Sequence, residues 1–224
     1  MKNYHAENVD QHHSSRGADR INSSGYSSRM RGIAFFGLLS IVGNLATSFL
    51  ASALHVPIFL DTIFTVAITF YAGLVPGLIV AVLHNPIRTF IRSVIYGTDL
   101  FYFGSLYAVC GMLIALSTWI FSRNKKDFFF NRTVTVLYLL IIVFVSSFLS
   151  CFSASALDTF IRPLLNDSLR FFPTDIFSIP FQKLKFGMFL SYLLPRIPIT
   201  VLDRLICTFS GFGLYRLVER RISC

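Results

Sequence analysis

The stretch Gly32–Leu54 reads GIAFFGLLSIVGNLATSFLASAL, twenty-three consecutive residues without a charge. A helix rises about 1.5 Å per residue and the hydrocarbon core of a bilayer is about 30 Å thick, so this run is long enough to cross it. It is not alone. Further apolar runs occupy Pro57–Ala72, Leu78–Ile95, Phe101–Phe121, Thr133–Leu157 and Pro198–Val218. Between the second and third, Gly73-Leu-Val-Pro76-Gly77 predicts a tight turn, because Pro and Gly both punctuate helices. The expected fold class is therefore all-α, a polytopic membrane helical bundle of about six transmembrane helices.

Composition agrees. Only 14% of the 224 residues are charged, 54% are hydrophobic and mean hydropathy is +0.64. A soluble domain carries about 25% charged residues. The 25 phenylalanines bring rings with no polar atom to satisfy, suited to helix–helix gaps or to lipid. Residues 1–29, rich in Ser, His, Asn and Arg, read as a disordered cytoplasmic tail. Residues 30–224 read as a single transmembrane domain, with 158–197 as an outer lid segment.

Charge placement sets the expected orientation. Twelve of the twenty Lys and Arg residues fall in the N-terminal tail, around Arg123–Arg132 and at Arg216–Arg221. The positive-inside rule then places both termini and the Lys125–Lys126 loop in the cytoplasm, with the chain in the cell membrane. The same rule accounts for most of the net charge of +9, so nucleic acid is not an expected partner.

Motifs for chemistry are lacking. There is no GxxxxGK[ST] phosphate loop, no HExxH, no GxSxG and no paired-carboxylate arrangement. The four cysteines form no CxxC pair, and His12 and His13 sit in the tail. No enzyme activity, no cofactor and no metal site is expected.

Ionisable residues at bilayer depth are costly and mark functional sites. Asp61 lies at one end of the second run. His84, Asn85, Arg88 and Arg92 lie in the third, with His84, Arg88 and Arg92 sharing a face at i, i+4 spacing. Asp203 and Arg204 lie within the first two turns of the last. Pro86 has no N–H and leaves the Val82 carbonyl free. These residues predict an outward-facing polar pocket for a small hydrophilic or anionic ligand, lined by His84, Asn85 and Arg88, with Asp61, Asp203 and Arg204 near its rim. The structural alternative is a set of ion pairs, such as Arg88 with Asp203 or Arg92 with Asp61, with arginines snorkelling to headgroups. Gly43, Thr47 and Ala51 make a small-residue stripe on the first span. It suits close packing, within the chain or against a partner subunit.

His55-Val-Pro57-Ile-Phe-Leu60-Asp61-Thr62-Ile63, then Gly73-Leu-Val-Pro-Gly77 and Asn85, resembles the S components of energy-coupling factor transporters. Leu194-Pro195-Arg196-Ile-Pro198 through Asp203-Arg204-Leu205 resembles the last span of that group. The resemblance covers about a third of the chain. It implies a six-span, substrate-binding subunit for vitamin-like micronutrients, powered by a transmembrane coupling subunit and two ATPase subunits. Those proteins often carry an AxxxA docking stripe on the first span; here the Gly43/Thr47/Ala51 stripe takes that place. A similar pattern occurs in the membrane regions of some sensor kinases. A membrane sensor is the alternative, weighed against by an end six residues past the last span.

Overall fold

A computed structural model describes residues 6–54, 58–96, 101–165, 180–181 and 187–222; the side chains of residues 6–29 and of a few helix-terminal positions stay outside it. Among the described residues every regular element is helical. In chain order these are α1 (Ala6–Ala53), α2 (Ile63–Ala72), α3 (Leu74–Tyr96), α4 (Phe101–Leu106), α5 (Ala108–Ser122), α6 (Lys125–Phe128), α7 (Arg132–Ala156) and α8 (Met188–Ile222). A π turn, Leu157–Ile161, and a 3-10 turn, Arg162–Leu165, continue from α7.

The chain divides into two units, Met1–Phe36 and Gly37–Cys224. The described part of the first is the beginning of α1. The second holds the bundle. The expected tail, residues 1–29, lies almost wholly outside the described side chains, as does most of the expected lid.

Among the described residues five helical stretches are long and apolar enough to cross a membrane: Met30–Ala53, Leu74–Ile95, Gly104–Ser122, Arg132–Ile161 and Met188–Arg221. The chain is a multi-pass helical membrane protein. The second expected span differs. Its helix, α2, is only 10 residues, about 15 Å, half of the hydrocarbon thickness. Residues 58–62 before it are not helical, and Leu60 takes a left-handed φ of 46°. Irregular backbone at membrane depth survives only where protein surrounds it. Here it does. Asp61 and Thr62 of the irregular stretch are buried, as are Ile63, Val66, Ala67, Ile68 and Phe70 of α2, with α3, α5 and α8 packed around the helix.

The last helix also departs from expectation. It begins at Met188, ten residues before Pro198, and carries both Pro195 and Pro198 inside it. Membrane helices tolerate interior prolines because neighbours re-satisfy the freed carbonyls. The turn between α2 and α3 is shorter than predicted. Gly73 alone, at φ 91°, reverses the chain, and Pro76 sits in the first turn of α3, where a missing N–H costs nothing.

Helix contacts are close where side chains are small. A Cβ on Gly211 of α8 would stand 2.6 Å from the Ile63 carbonyl oxygen, so only glycine lets α8 reach α2 there. The small-residue stripe of α1 makes close contacts inside the chain, one of its two expected uses. A Cβ on Gly43 would meet the Phe64 ring, Thr47 donates its hydroxyl to the Leu60 carbonyl, and Ala51 is buried. The apolar core sits at the end where α2 finishes: Phe70 packs its ring 5.5 Å from Phe128 and 5.4 Å from Phe212. Lys125 reaches over this cluster and donates to the Phe70 carbonyl at 3.0 Å.

Candidate functional site

The opposite half of the bundle is polar. The irregular stretch before α2 and helices α3, α5, α7 and α8 enclose a cavity of about 540 Å³. Ile114, part of the apolar core, forms its floor. Each helix contributes through its own repeat. On α3, Asn85, Arg88, Thr89 and Arg92 share one face at i, i+3, i+4 and i+7. On α8, Arg196, Thr200 and Arg204 follow i, i+4, i+8. On α7, Ser150 and Ala154 line the wall, and the same face leads on to buried Asp158 in the π turn.

Of the residues expected from sequence, Asp61, Asn85, Arg88, Arg92 and Arg204 line this cavity. His84 and Asp203 do not. His84 is buried away from it, and neither ring nitrogen has a hydrogen-bond partner among the described residues. Asp203 stands behind the wall. Its Oδ1 accepts the backbone N–H of Phe59 at 2.9 Å and of Leu60 at 2.8 Å, and its Oδ2 lies 2.8 Å from Nη2 of Arg204. Neither Asp203 nor Arg204 is at a rim. With α8 starting at Met188, both sit near mid-helix.

The ion pairs also differ from those expected. Arg88 pairs with Asp61 at 3.3 Å, and Arg204 with both Asp203 and, at 3.6 Å, Asp61. Arg204 also donates to the Thr62 hydroxyl. Asp61 therefore sits between two guanidinium groups. From α1, Asn44 accepts the Phe64 N–H and donates to Thr65, both at 2.9 Å, which fixes the start of α2. The break in the second span is thus held by side chains from α1 and α8.

Sequence reasoning missed a second ionic group. Both Arg196 and Asp158 fall in the expected lid segment, 158–197. They pair at 2.7 Å with almost no exposure, and the Tyr107 hydroxyl donates to Asp158 at 2.6 Å. Tyr107 and Arg196 line the cavity. The signal was present in the Arg196/Thr200/Arg204 spacing, which puts three polar side chains on one helix face.

Four arginines, Arg88, Arg92, Arg196 and Arg204, face the cavity, with one carboxylate, Asp61. Asp158 and Asp203 balance two of them from behind. Guanidinium groups in a low-dielectric site attract a carboxylate or phosphate strongly and hold it by two parallel hydrogen bonds. Among the described residues no group of three His, Cys, Asp or Glu is placed to hold a metal ion. The arrangement is suited to binding and orienting a polar molecule.

Neither protein-family models, nor characterised proteins, nor solved structures give a match to this chain.

Proposed function

We propose that this chain is the substrate-binding membrane subunit of a micronutrient uptake system of the energy-coupling factor type, and that its cavity holds a small anionic or zwitterionic solute. One observation carries the reading: four arginines and one aspartate line a cavity whose volume suits a single small molecule. A bundle held together only for its own sake has no need of so much cationic surface at bilayer depth, since each such group is costly there. The S-component resemblance of the residues around Asp61 and Arg204 supports the assignment. On that reading the cavity opens outward, both termini face the cytoplasm, and a coupling subunit with two ATPases supplies the energy.

The test is native mass spectrometry of the detergent-solubilised chain purified from its source cells. A copurifying molecule bearing a carboxylate or phosphate is expected, released by the Arg88→Gln/Arg92→Gln variant. Parent protein that carries no such molecule, and whose thermal midpoint no anionic solute from a cell extract raises, overturns the reading.

A further inference from the structure

At the other end of the bundle, α7 and α8 leave a second groove of about 450 Å³, distinct from the arginine-lined cavity. Its walls repeat one order on both helices. On α7, Arg132 is followed by Val136 and Leu139, at i+4 and i+7. On α8, Arg216 is preceded by Phe212 and Phe209, at i−4 and i−7. The α7 helix begins at this end and α8 finishes at it, so both ladders run from a cation to apolar side chains in the same direction. At about 1.5 Å per residue the apolar groups lie roughly 6 and 10 Å below each arginine.

The two cations are differently held. Arg216 has its guanidinium 5.0 Å from the centroid of the Phe129 ring, and Glu219 takes one of its nitrogens at 3.2 Å. Glu219 does not line the groove. Arg132 is exposed and makes no ion pair among the described residues. It opens α7, whose cap residue Asn131 accepts the Val134 N–H on its side-chain oxygen at 2.8 Å. The first N–H groups of a helix have no partner within it and favour an anion beside them.

We propose that this groove seats one anionic phospholipid, with its phosphate between Arg132 and Arg216 and the start of an acyl chain against Val136, Phe209 and Phe212. The positive-inside rule puts basic residues at one end of a membrane protein but does not set them above facing apolar ladders. A free phosphate uses the arginines and leaves the apolar walls without an occupant. A lipid with a neutral headgroup matches the walls and leaves a net cationic mouth. An anionic phospholipid answers both, and basic pockets between membrane helices are suited to such headgroups.

The test uses the full chain in nanodiscs of phosphatidylcholine containing a minor fraction of phosphatidylglycerol, followed by native mass spectrometry of the retained lipid. One phosphatidylglycerol is expected to stay bound in preference to phosphatidylcholine. Arg132→Gln and Arg216→Gln should each lower its retention roughly fivefold. Lys126→Gln/Arg220→Gln removes two charges outside the groove, more than either single variant, and should leave retention unchanged. Val136→Trp fills the apolar part and should expel the lipid with both arginines in place. Thermal midpoints of all variants check folding, and the single arginine variants stand in if the Val136 variant does not fold. Equal retention by the arginine variants and the parent overturns the proposal, as does equal loss in the Lys126/Arg220 control. Inorganic phosphate that stabilises the parent and the Val136 variant alike, with no lipid preference in either, makes the groove a seat for a free anion and overturns it too.

Discussion

The Asp203 carboxylate on α8 accepts the backbone N–H of Leu60, 2.8 Å away and 143 residues earlier in the chain. The same oxygen accepts the N–H of Phe59, so one side chain takes the place of the helix turn that the second span lacks. With Asp203 removed, two N–H groups lose their acceptor and the Arg204 guanidinium loses its nearer carboxylate, keeping Asp61 at 3.6 Å.

Asp203→Ala should therefore destabilise the protein by about 3–5 kcal/mol, the cost of stranding a buried charge. Asp203→Asn keeps an acceptor oxygen for Phe59 and Leu60 and should cost clearly less. Thermal unfolding midpoints of the three proteins in one detergent decide it. Equal midpoints for Asp203→Ala and the parent would show that this carboxylate does not hold the break.

The pairing of Arg88 with Asp61 makes a second expectation. Arg88→Ala leaves Asp61 with Arg204, still 3.6 Å away, so its stability cost should be about 1–2 kcal/mol. Arg204→Ala removes the charge partner of buried Asp203 and one of the two partners of Asp61, and should cost about 3–5 kcal/mol. Double-mutant cycles read the coupling directly. Arg88 and Asp61 should couple by about 1 kcal/mol, while Arg88 and Asp203, which share no contact here, should be additive within about 0.5 kcal/mol. If the cavity binds an anion as proposed, Arg88→Ala should also weaken that binding by about 1.5–3 kcal/mol.

Glycine substitutions probe how closely α8 approaches α2. A methyl group on Gly211 would meet the Ile63 carbonyl oxygen at 2.6 Å and Val66 at 2.9 Å. Gly211→Ala should cost about 1–3 kcal/mol through overpacking. At Gly213, two residues on, nothing lies within 4 Å. Gly213→Ala should be neutral, or stabilising by up to about 1 kcal/mol from helix propensity. Comparable losses at both positions would mean the close approach is not as drawn.

The proposed orientation is checked by labelling. With the native cysteines replaced, single cysteines at Ser14 and Lys126 should react with an impermeant reagent only after cells are permeabilised. Reaction of either in intact cells reverses the orientation and turns the arginine-lined cavity towards the cytoplasm.

Much of this architecture was written locally. Uncharged runs such as Gly32–Leu54 and Thr133–Leu157 specify membrane helices by themselves, because in lipid the helix satisfies its own backbone and needs no partner to form. The i, i+4 face of His84, Arg88 and Arg92 is equally local; Arg88 and Arg92 do line the cavity, with Asn85 beside them where His84 was expected. The chain order of charges also marked one end of the bundle as basic.

Long-range pairing was decided elsewhere. The run Pro57–Ala72 has the hydropathy of a full span, yet of its described residues only Ile63–Ala72 are helical. Its first part is held open by Asn44, Thr47 and Asp203, which come from other helices and leave no trace in the local sequence. Arg196 and Asp158 are 38 residues apart and each resembles a residue at the membrane edge; only the meeting of the α7 and α8 ends brings them to 2.7 Å. His84 shares a helix with the cavity arginines but is rotated away from them, and a periodicity cannot say which side of a polar face will look into a cavity. Helix formation in a bilayer follows from the chemistry of each segment, whereas partners for buried charges are chosen by how the segments pack.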